Sequence, residues 1–205
     1  MAALTLTTLI RLTRELVGDL GIDSNSWTDE QVVEAINFAL VEVARKTGVT
    51  YTEATATAVS GGYTVADEWI RVIRVLMDGV VLHPSDLEFE DLRNSNWRAS
   101  TVTATRWGYV SGNVFTPFGI VSGTITAGVI LTPTLFDSTT VSASAIPDVK
   151  ILDYYHPHLK YAAASYLLQT DGDTQDLGKS EKMLTEFNSL VGMGPELVAV
   201  KGVEE

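Results

Sequence analysis

The stretch from Trp27 to Gly48 constrains the fold most, because an amphipathic repeat lies there between a helix start and a helix stop. Thr28 and Gln31 form a capping box, in which a hydroxyl and an amide satisfy backbone N–H groups. Gly48 can adopt the left-handed conformation that ends a helix. Steps of three and four residues predict one apolar face, made of Val32, Val33, Ile36, Ala39, Leu40 and Val43. Asn37 alone interrupts this face, and a buried amide needs hydrogen-bond partners.

An earlier helix is predicted from about Leu4 to Leu20, with leucines along one side. A short polar connection at residues 23–26 joins it to the helix that starts after Thr28. Two amphipathic helices joined this closely should pack as an antiparallel hairpin. The hairpin leaves apolar surface that other parts of the chain must cover.

The pattern changes from helical to β at Thr50. Residues 51–59 alternate Thr with Ala and Val, which is typical of a half-buried strand. Asp78-Gly79 between two apolar runs predicts a tight hairpin. Ser85 with Glu88 predicts a short capped helix that interrupts the strands. Further strands are predicted at residues 69–77, 80–82, 106–110, 114–118 and 124–131, enough for a small antiparallel sandwich or barrel.

Helical periodicity returns at Ile146-Pro147-Asp148, and Pro157 predicts a kink or a restart. A last amphipathic helix is predicted from Asp173 to Leu190. The predicted fold class is therefore α+β, an α-helical bundle of two N-terminal and two C-terminal helices with an inserted small antiparallel β-sandwich or barrel. The predicted divisions are 1–48 for the N-terminal hairpin, 49–147 for the β domain, 148–192 for the C-terminal helices and 193–205 for an extended tail.

Composition excludes several classes of function. Fourteen Lys and Arg against 26 Asp and Glu give a formal charge of −12, which argues against wrapping nucleic acid, because phosphate binding relies on cationic side chains. The same charge is compatible with a wall that DNA passes without sticking. The absence of cysteine excludes disulfides, thiolate catalysis and cysteine-ligated zinc. No apolar run approaches a membrane span, and residues 1–20 lack the pattern of a signal peptide.

Candidate metal sites are weak. His156 and His158 lie two residues apart, so on a helix they point in different directions, and His83 is the only other histidine. Residues 171–176 resemble a calcium loop, but Lys182 stands where a bidentate acid belongs. Capping of the following helix explains the acids better. The sequence predicts no metal and no cofactor.

Two further patterns lie between residues 88 and 107. Glu88, Glu90 and Asp91 could include a carboxylate pair for acid–base chemistry, yet no histidine or nucleophile motif accompanies them, and a solvated face is the simpler interpretation. Arginines interleaved with tryptophans resemble a stacking surface for single-stranded nucleic acid, although packing at a sheet edge or subunit contact fits the acidic chain better. The residues of this second pattern are Arg93, Trp97, Arg98, Arg106 and Trp107.

The order of elements resembles the head-to-tail adaptor (connector) proteins of tailed bacteriophages, including those called tail tubular protein A or tail accessory factor. The resemblance rests on WTDEQVVEAINFALVEVARKTG after a first helix and on WIRVIRV followed by Asp78-Gly79 and Leu82. It rests also on Asn96-Trp97 after a short acidic segment and on Ile146-Pro147-Asp148 before a helical C-terminus. It covers most of the chain.

This resemblance implies a structural virion protein and no enzyme. Such proteins form a ring, usually of about twelve copies, beneath the portal, receive the tail or nozzle proteins below and let viral DNA pass through the bore without specific binding. About twelve copies at −12 each would carry roughly −144, which repels the phosphate backbone. The expected place is the head-to-tail interface of the virion, after assembly in the host cytoplasm, with no membrane partner.

Three sets of residues receive roles under this hypothesis. Candidates for the acidic lumen are Glu88, Glu90 and Asp91, and the loop expected to face the tail comprises Ser111, Gly112 and Asn113. The C-terminal tail, with apolar Leu197, Val198, Val200 and Val203, is expected to dock on the portal, where it could add a strand.

Two other classes of function stay open from the sequence. A β-sandwich with exposed Trp97, Trp107 and Tyr109 could be a carbohydrate-binding module of a phage tail or cell-surface protein, although the long flanking helices count against it. A hydrolase is the other alternative, but the sequence offers no recognisable nucleophile, base or metal set.

Overall fold

A computed structural model describes residues 4–19, 27–65, 68–93, 96–99, 102–111, 113–137, 151, 154–170 and 176–191. The chain divides into two compact units, which we call the helical unit (residues 1–50 and 133–205) and the β unit (residues 51–132). The helices are α1 (Leu6–Val17), α2 (Asp29–Thr47), α3 (Leu87–Arg93), α4 (His156–Thr170) and α5 (Leu177–Val191). The strands are β1 (Tyr51–Thr55), β2 (Thr57–Val59), β3 (Gly62–Thr64), β4 (Trp69–Met77), β5 (Val80–Pro84), β6 (Arg106–Ser111), β7 (Val114–Pro117) and β8 (Ile125–Leu131).

The predicted α+β class with an inserted β region is confirmed. Helix α2 begins and ends where its signals indicated. The Gln31 backbone N–H donates to the Thr28 hydroxyl at 3.2 Å, and the Thr28 backbone N–H donates to the Gln31 side-chain oxygen at 2.7 Å. Gly48 ends the helix in the left-handed conformation, with φ of 66°.

Helix α4 supplies the cover that the N-terminal hairpin needs, since it packs against α1, α2 and α5. Ala162, Ala163 and Ala164 are all buried, together with Leu159 and Leu167. A helix with buried residues on all sides lies inside its bundle. Pro157 occupies the first turn of α4, where a missing N–H costs little, so a helix starts at the place where a kink or a restart was predicted. The predicted helix opening at residues 146–148 lies outside the described residues.

Asn37 has the partners that its place on the apolar face requires. Its side-chain amide donates to the backbone carbonyl of Phe136 at 2.9 Å, and its carbonyl accepts from the Phe136 N–H at 2.9 Å. A single side chain therefore satisfies both backbone groups of a buried residue 99 positions away. The pair fixes the segment after the β unit against α2.

The eight strands form one mixed sheet in the order β1-β8-β4-β5-β6-β7-β3-β2. The predicted strand at residues 51–59 is two strands, because its pairing partner changes from β8 to β3 around Ala56. These two strands lie at opposite ends of the sheet order, yet Ala56 alone joins them. One residue spans only about 3.6 Å, so the sheet must curl until its two ends approach each other.

The local turns follow the prediction, whereas one strand pairing does not. Asp78 and Gly79 have φ of 50° and 80°, which is the positive-φ pair of a two-residue hairpin turn between β4 and β5. The sheet was expected to be antiparallel throughout, but β5 pairs with β6 in parallel, at His83–Arg106 and Pro84–Trp107. Parallel neighbours need a crossover connection, and α3 with the 3-10 turn at Trp97–Ala99 lies in that connection.

The β unit has its own apolar core, made mainly by side chains of its strands. Its buried members are Val65, Trp69, Val72, Val75, Met77, Leu82, Trp107, Phe115, Ile125, Ala127 and Val129. Within the described residues, the structure has no helix that is both long and apolar enough to cross a membrane.

Replacing Asn37 by alanine should destabilise the helical unit by about 1–3 kcal/mol, because both backbone groups of Phe136 lose their partner in a buried place. Urea denaturation followed by circular dichroism measures the change. Glu34→Ala, at an exposed position three residues earlier on α2, is the matched control and should shift stability by less than about 0.5 kcal/mol. Equal stability of Asn37→Ala and Glu34→Ala would contradict this role.

Candidate functional site

The acidic candidates of the β unit lie on α3, whose first turn differs from the prediction. The expected capping box of Ser85 and Glu88 is wrong by one position, because Asp86 is the cap: its carboxylate accepts from the N–H groups of Glu88 at 2.8 Å and Phe89 at 3.3 Å. The Ser85 N–H instead donates to the Trp107 carbonyl at 2.7 Å. Its hydroxyl donates to Glu90 at 2.7 Å. Ser85 therefore fastens the start of α3 to β6.

Glu90 is the centre of an ion-pair cluster inside the β unit. The residue is only 4% exposed, and its carboxylate accepts from Ser85 at 2.7 Å and from Arg106 at 2.9 Å. The Arg93 guanidinium lies 3.8 Å from the other carboxylate oxygen. A buried charge is tolerable only when it is paired and hydrogen-bonded, and Glu90 meets both conditions. The cluster holds α3 on the sheet.

The surroundings of Glu90 keep it ionised. Burial alone raises the pKa of Glu90, but hydrogen bonds from Ser85 and Arg106, with the charges of Arg106 and Arg93, outweigh burial. The pKa of Glu90 consequently lies below its ordinary value. A carboxyl with a depressed pKa is a poor general acid near neutral pH, which favours a structural role for it.

The arginine–tryptophan pattern is internal packing. The Trp97 indole N–H donates to Asp91 at 2.6 Å, and Arg98 donates to the same oxygen at 3.0 Å. The Arg98 guanidinium lies 4.3 Å from the Trp97 ring centre, and Phe118 meets the ring edge-on at 4.8 Å. Trp97 is already occupied by these neighbours and has no open face for a nucleic-acid base.

The carbohydrate-binding alternative assumed exposed tryptophans, and this assumption is wrong. Trp97 is 8% and Trp107 3% exposed. Tyr109 is 45% exposed, but its hydroxyl is bound to the backbone of Val72, accepting from the N–H at 2.9 Å and donating to the carbonyl at 3.1 Å. Sugar recognition by stacking needs accessible rings, and the two tryptophans offer none.

The three acidic candidates therefore differ in their surroundings. Glu90 is buried and paired with arginines, and Asp91 is half-buried and bound by Trp97 and Arg98. Glu88 is exposed, and it forms no ion pair with a described residue. Of the three, Glu88 alone presents an uncompensated charge to solvent.

Sequence reasoning missed two exposed apolar residues on the same helix. Phe89 is 55% and Leu92 88% exposed, and their spacing of three residues places them on one face of α3. Their exposure cannot be predicted from the sequence, because an apolar pair at this spacing is equally typical of a core-facing turn. The ion-pair cluster explains the exposure, because it holds the side of α3 that carries Glu90 toward the sheet and leaves Phe89 and Leu92 on the solvent side.

The histidines show no metal site. His156 Nε2 lies 2.9 Å from the Ile151 carbonyl, inside the helical unit. Burial, followed by the charge of Lys160, lowers the pKa of His158. His83 lies on β5 in the other unit. Among the described residues, no group of three or more His, Asp or Glu could hold a metal ion.

The remaining candidates are only partly described. Of the acids at 171–176, Asp176 caps α5 by accepting from the Lys179 N–H at 2.9 Å, as expected for a helix start, and the others lie outside the described residues. Ser111 ends β6, and Asn113 directly precedes β7, the antiparallel partner of β6. Gly112 lies outside the described residues. Leu197, Val198, Val200 and Val203 also lie outside the described residues, so their docking role stays a prediction.

Replacing Glu90 by glutamine should destabilise the β unit by about 1–2 kcal/mol near pH 7, because charge-assisted bonds to Ser85 and Arg106 are weakened. A lowered pKa stabilises the fold above the unfolded pKa, and this contribution disappears as pH falls through the folded pKa. The difference between wild type and Glu90→Gln should therefore shrink as the pH falls below about 4.3, the ordinary pKa of a glutamate, and disappear below the lowered pKa of Glu90. Urea denaturation at pH 7 and at a series of lower pH values measures it, with Glu88→Gln as the exposed control. A pH-independent difference would contradict the ion-pair explanation.

A model of the SU10 adaptor protein family matches residues 4–196 of the chain. The match spans the helices and the β insertion together, including the site around α3. No curated protein matches the sequence. The family match confirms the resemblance to phage head-to-tail adaptors that the order of the elements indicated. The chain therefore belongs to the SU10 adaptor protein family and is a bacteriophage adaptor protein.

Proposed function

We propose that this adaptor forms a ring between portal and tail, through which the viral genome passes. The observation that carries the proposal is the family match over residues 4–196, together with a helical bundle interrupted by a β insertion. An adaptor family is structural and implies contacts with other head and tail proteins of the virion. The ring, its copy number of about twelve and the passage of DNA are inferred from the resemblance.

The charge of the chain is unevenly divided, which suggests where a DNA-repelling wall would lie. The β unit holds 8 Asp and Glu against 5 Arg, a net of −3, which leaves −9 of the total −12 to the helical unit. Repulsion of the phosphate backbone depends on charge that is not compensated nearby. We therefore propose that the helical unit, as the body of the ring, supplies most of the acidic wall.

This distribution revises the role proposed for α3. Glu90 and Asp91 already pair with arginines of the same unit, so they add little net repulsion. Of the three candidates, only Glu88 keeps a charge that no described residue of its own chain compensates. Ser111, Gly112 and Asn113 keep their proposed role as the loop that meets the tail, and the apolar C-terminal residues keep their proposed role at the portal.

Purified protein, alone or mixed with the portal, should form a closed ring of about twelve copies. Native mass spectrometry and negative-stain microscopy measure copy number and closure. The ring should not retain duplex DNA at about 0.15 M salt, because few cations are available to displace counterions. A protein that stays monomeric under both conditions, or binds duplex tightly, would refute the proposal.

Removing residues 196–205 should weaken binding to the portal by about tenfold or more, because four apolar side chains leave the contact. Exchanging Leu197, Val198, Val200 and Val203 for serine in the full-length chain separates their effect from that of chain length. Biolayer interferometry on immobilised portal measures the affinity, and circular dichroism checks that the helices persist. Unchanged portal binding by both variants would end the docking hypothesis.

A further inference from the structure

Two exposed apolar surfaces on the β unit carry opposite unpaired charges. The first, which we call the helix patch, comprises Phe89 and Leu92 on α3 with Glu88, which lies four residues before Leu92 and so beside it. Its Leu92 is 88% exposed. A fixed helix that turns its largest apolar side chains to solvent is typical of a protein-binding surface.

The second surface, which we call the sheet patch, lies on the outer face of β4 and β5. Leu76 pairs directly with Val81, so both point to the same face, and Val81 is exposed. The irregular register between Val72 and Arg74 turns Ile73 outward as well. Arg71, also exposed, lies on the same strand two residues before Ile73.

The ion pairs of the β unit leave an unpaired cation at the sheet patch and an unpaired anion at the helix patch. Arg74, Arg93, Arg98 and Arg106 each pair with an acid of the same unit. Arg71, the fifth arginine, forms no ion pair with a described residue, and the same holds for Glu88. The sheet patch, with its unpaired positive charge, therefore complements the helix patch, with its unpaired negative charge, and both present exposed apolar groups.

We propose that the helix patch of one copy binds the sheet patch of a second copy of this chain, with Glu88 facing Arg71. This inference rests on the proposed ring and names its subunit contact. The contact joins two different surfaces, and such head-to-tail contacts close into rings when the rotation between copies permits. A two-fold contact of the helix patch with itself would instead bring Glu88 against Glu88, which like-charge repulsion disfavours.

The test is a charge exchange across the contact. Arg71→Glu and Glu88→Arg should each raise the protein concentration at half-assembly by about tenfold or more, because each places like charges together. The double variant carries an opposite-charge pair again and should recover most of the wild-type assembly. Native mass spectrometry over a dilution series, with and without portal, measures the midpoint.

A second pair of variants tests the apolar part without depending on charge. Leu92→Ser should weaken assembly by about tenfold or more, as expected for a central apolar contact. Leu177→Ser is the matched control, since Leu177 is also an exposed helical leucine, 57% accessible, but lies on α5, and it should assemble like wild type. Both positions are exposed, so thermal melting of the dilute monomer should change little in either variant.

The results separate this inference from the proposed function. A wild-type protein that remains monomeric with and without portal refutes the ring and this contact together. Wild-type assembly that tolerates Arg71→Glu or Leu92→Ser, or single defects that the double variant does not repair, overturns the contact alone. Normal rings of Leu92→Ser that no longer bind portal or tail protein would assign the helix patch to a different partner and likewise overturn it.

Discussion

The antiparallel pairing of β1 with β8 is the constraint on which the chain's architecture depends. β1 is the first element of the β unit and β8 the last, and Tyr51 lies opposite Ile130. The first and the last strand of the inserted β unit are therefore neighbours in its sheet, so the chain enters and leaves this unit at adjacent points. An insertion whose ends meet can interrupt a helical bundle without separating the helices on either side. Soon after the chain leaves β8, Asn37 binds both backbone groups of Phe136 and so holds the returning chain against α2.

The sequence predicted the features that depend on short-range chemistry and missed those set by distant partners. The capping box of Thr28 and Gln31 and the Asp78-Gly79 turn are decided within a few residues, and both are present. The change of partner around Ala56 was not visible, because Ala and Thr alternate without interruption from Ala54 to Ala58, across that point. The parallel pairing of β5 with β6 depends on where the connection through α3 returns. Sequence periodicity cannot show that route.

The residues around α3 could not be interpreted from the sequence for a different reason, because composition does not reveal which neighbours cover a side chain. Arginines beside tryptophans resembled a surface for bases or sugars, whereas Asp91, Arg98 and Phe118 already surround Trp97. In the sequence Glu90 resembled a free acid, whereas in the structure it is buried and its carboxylate accepts hydrogen bonds from Ser85 and Arg106. The resemblance to adaptors was less affected by this limit, since it rested on the order of elements over most of the chain, and the family match covers the same range.

The division of charge sets a physical requirement for any ring. The helical unit holds 18 Asp and Glu but only 9 Lys and Arg, so even complete one-to-one pairing leaves nine acids unpaired. Neighbouring helical units in a proposed ring would repel each other, although salt limits the range to about 8 Å. Attraction that holds such a ring together must therefore outweigh this repulsion through apolar contact and opposite charges. The β unit can provide this attraction, because its net charge is only −3 while apolar side chains on α3 and on the β4–β5 face remain exposed. In the proposed ring, repulsion from DNA and adhesion between subunits make opposite demands on a surface, and a β unit inserted into an acidic bundle would let one chain satisfy both.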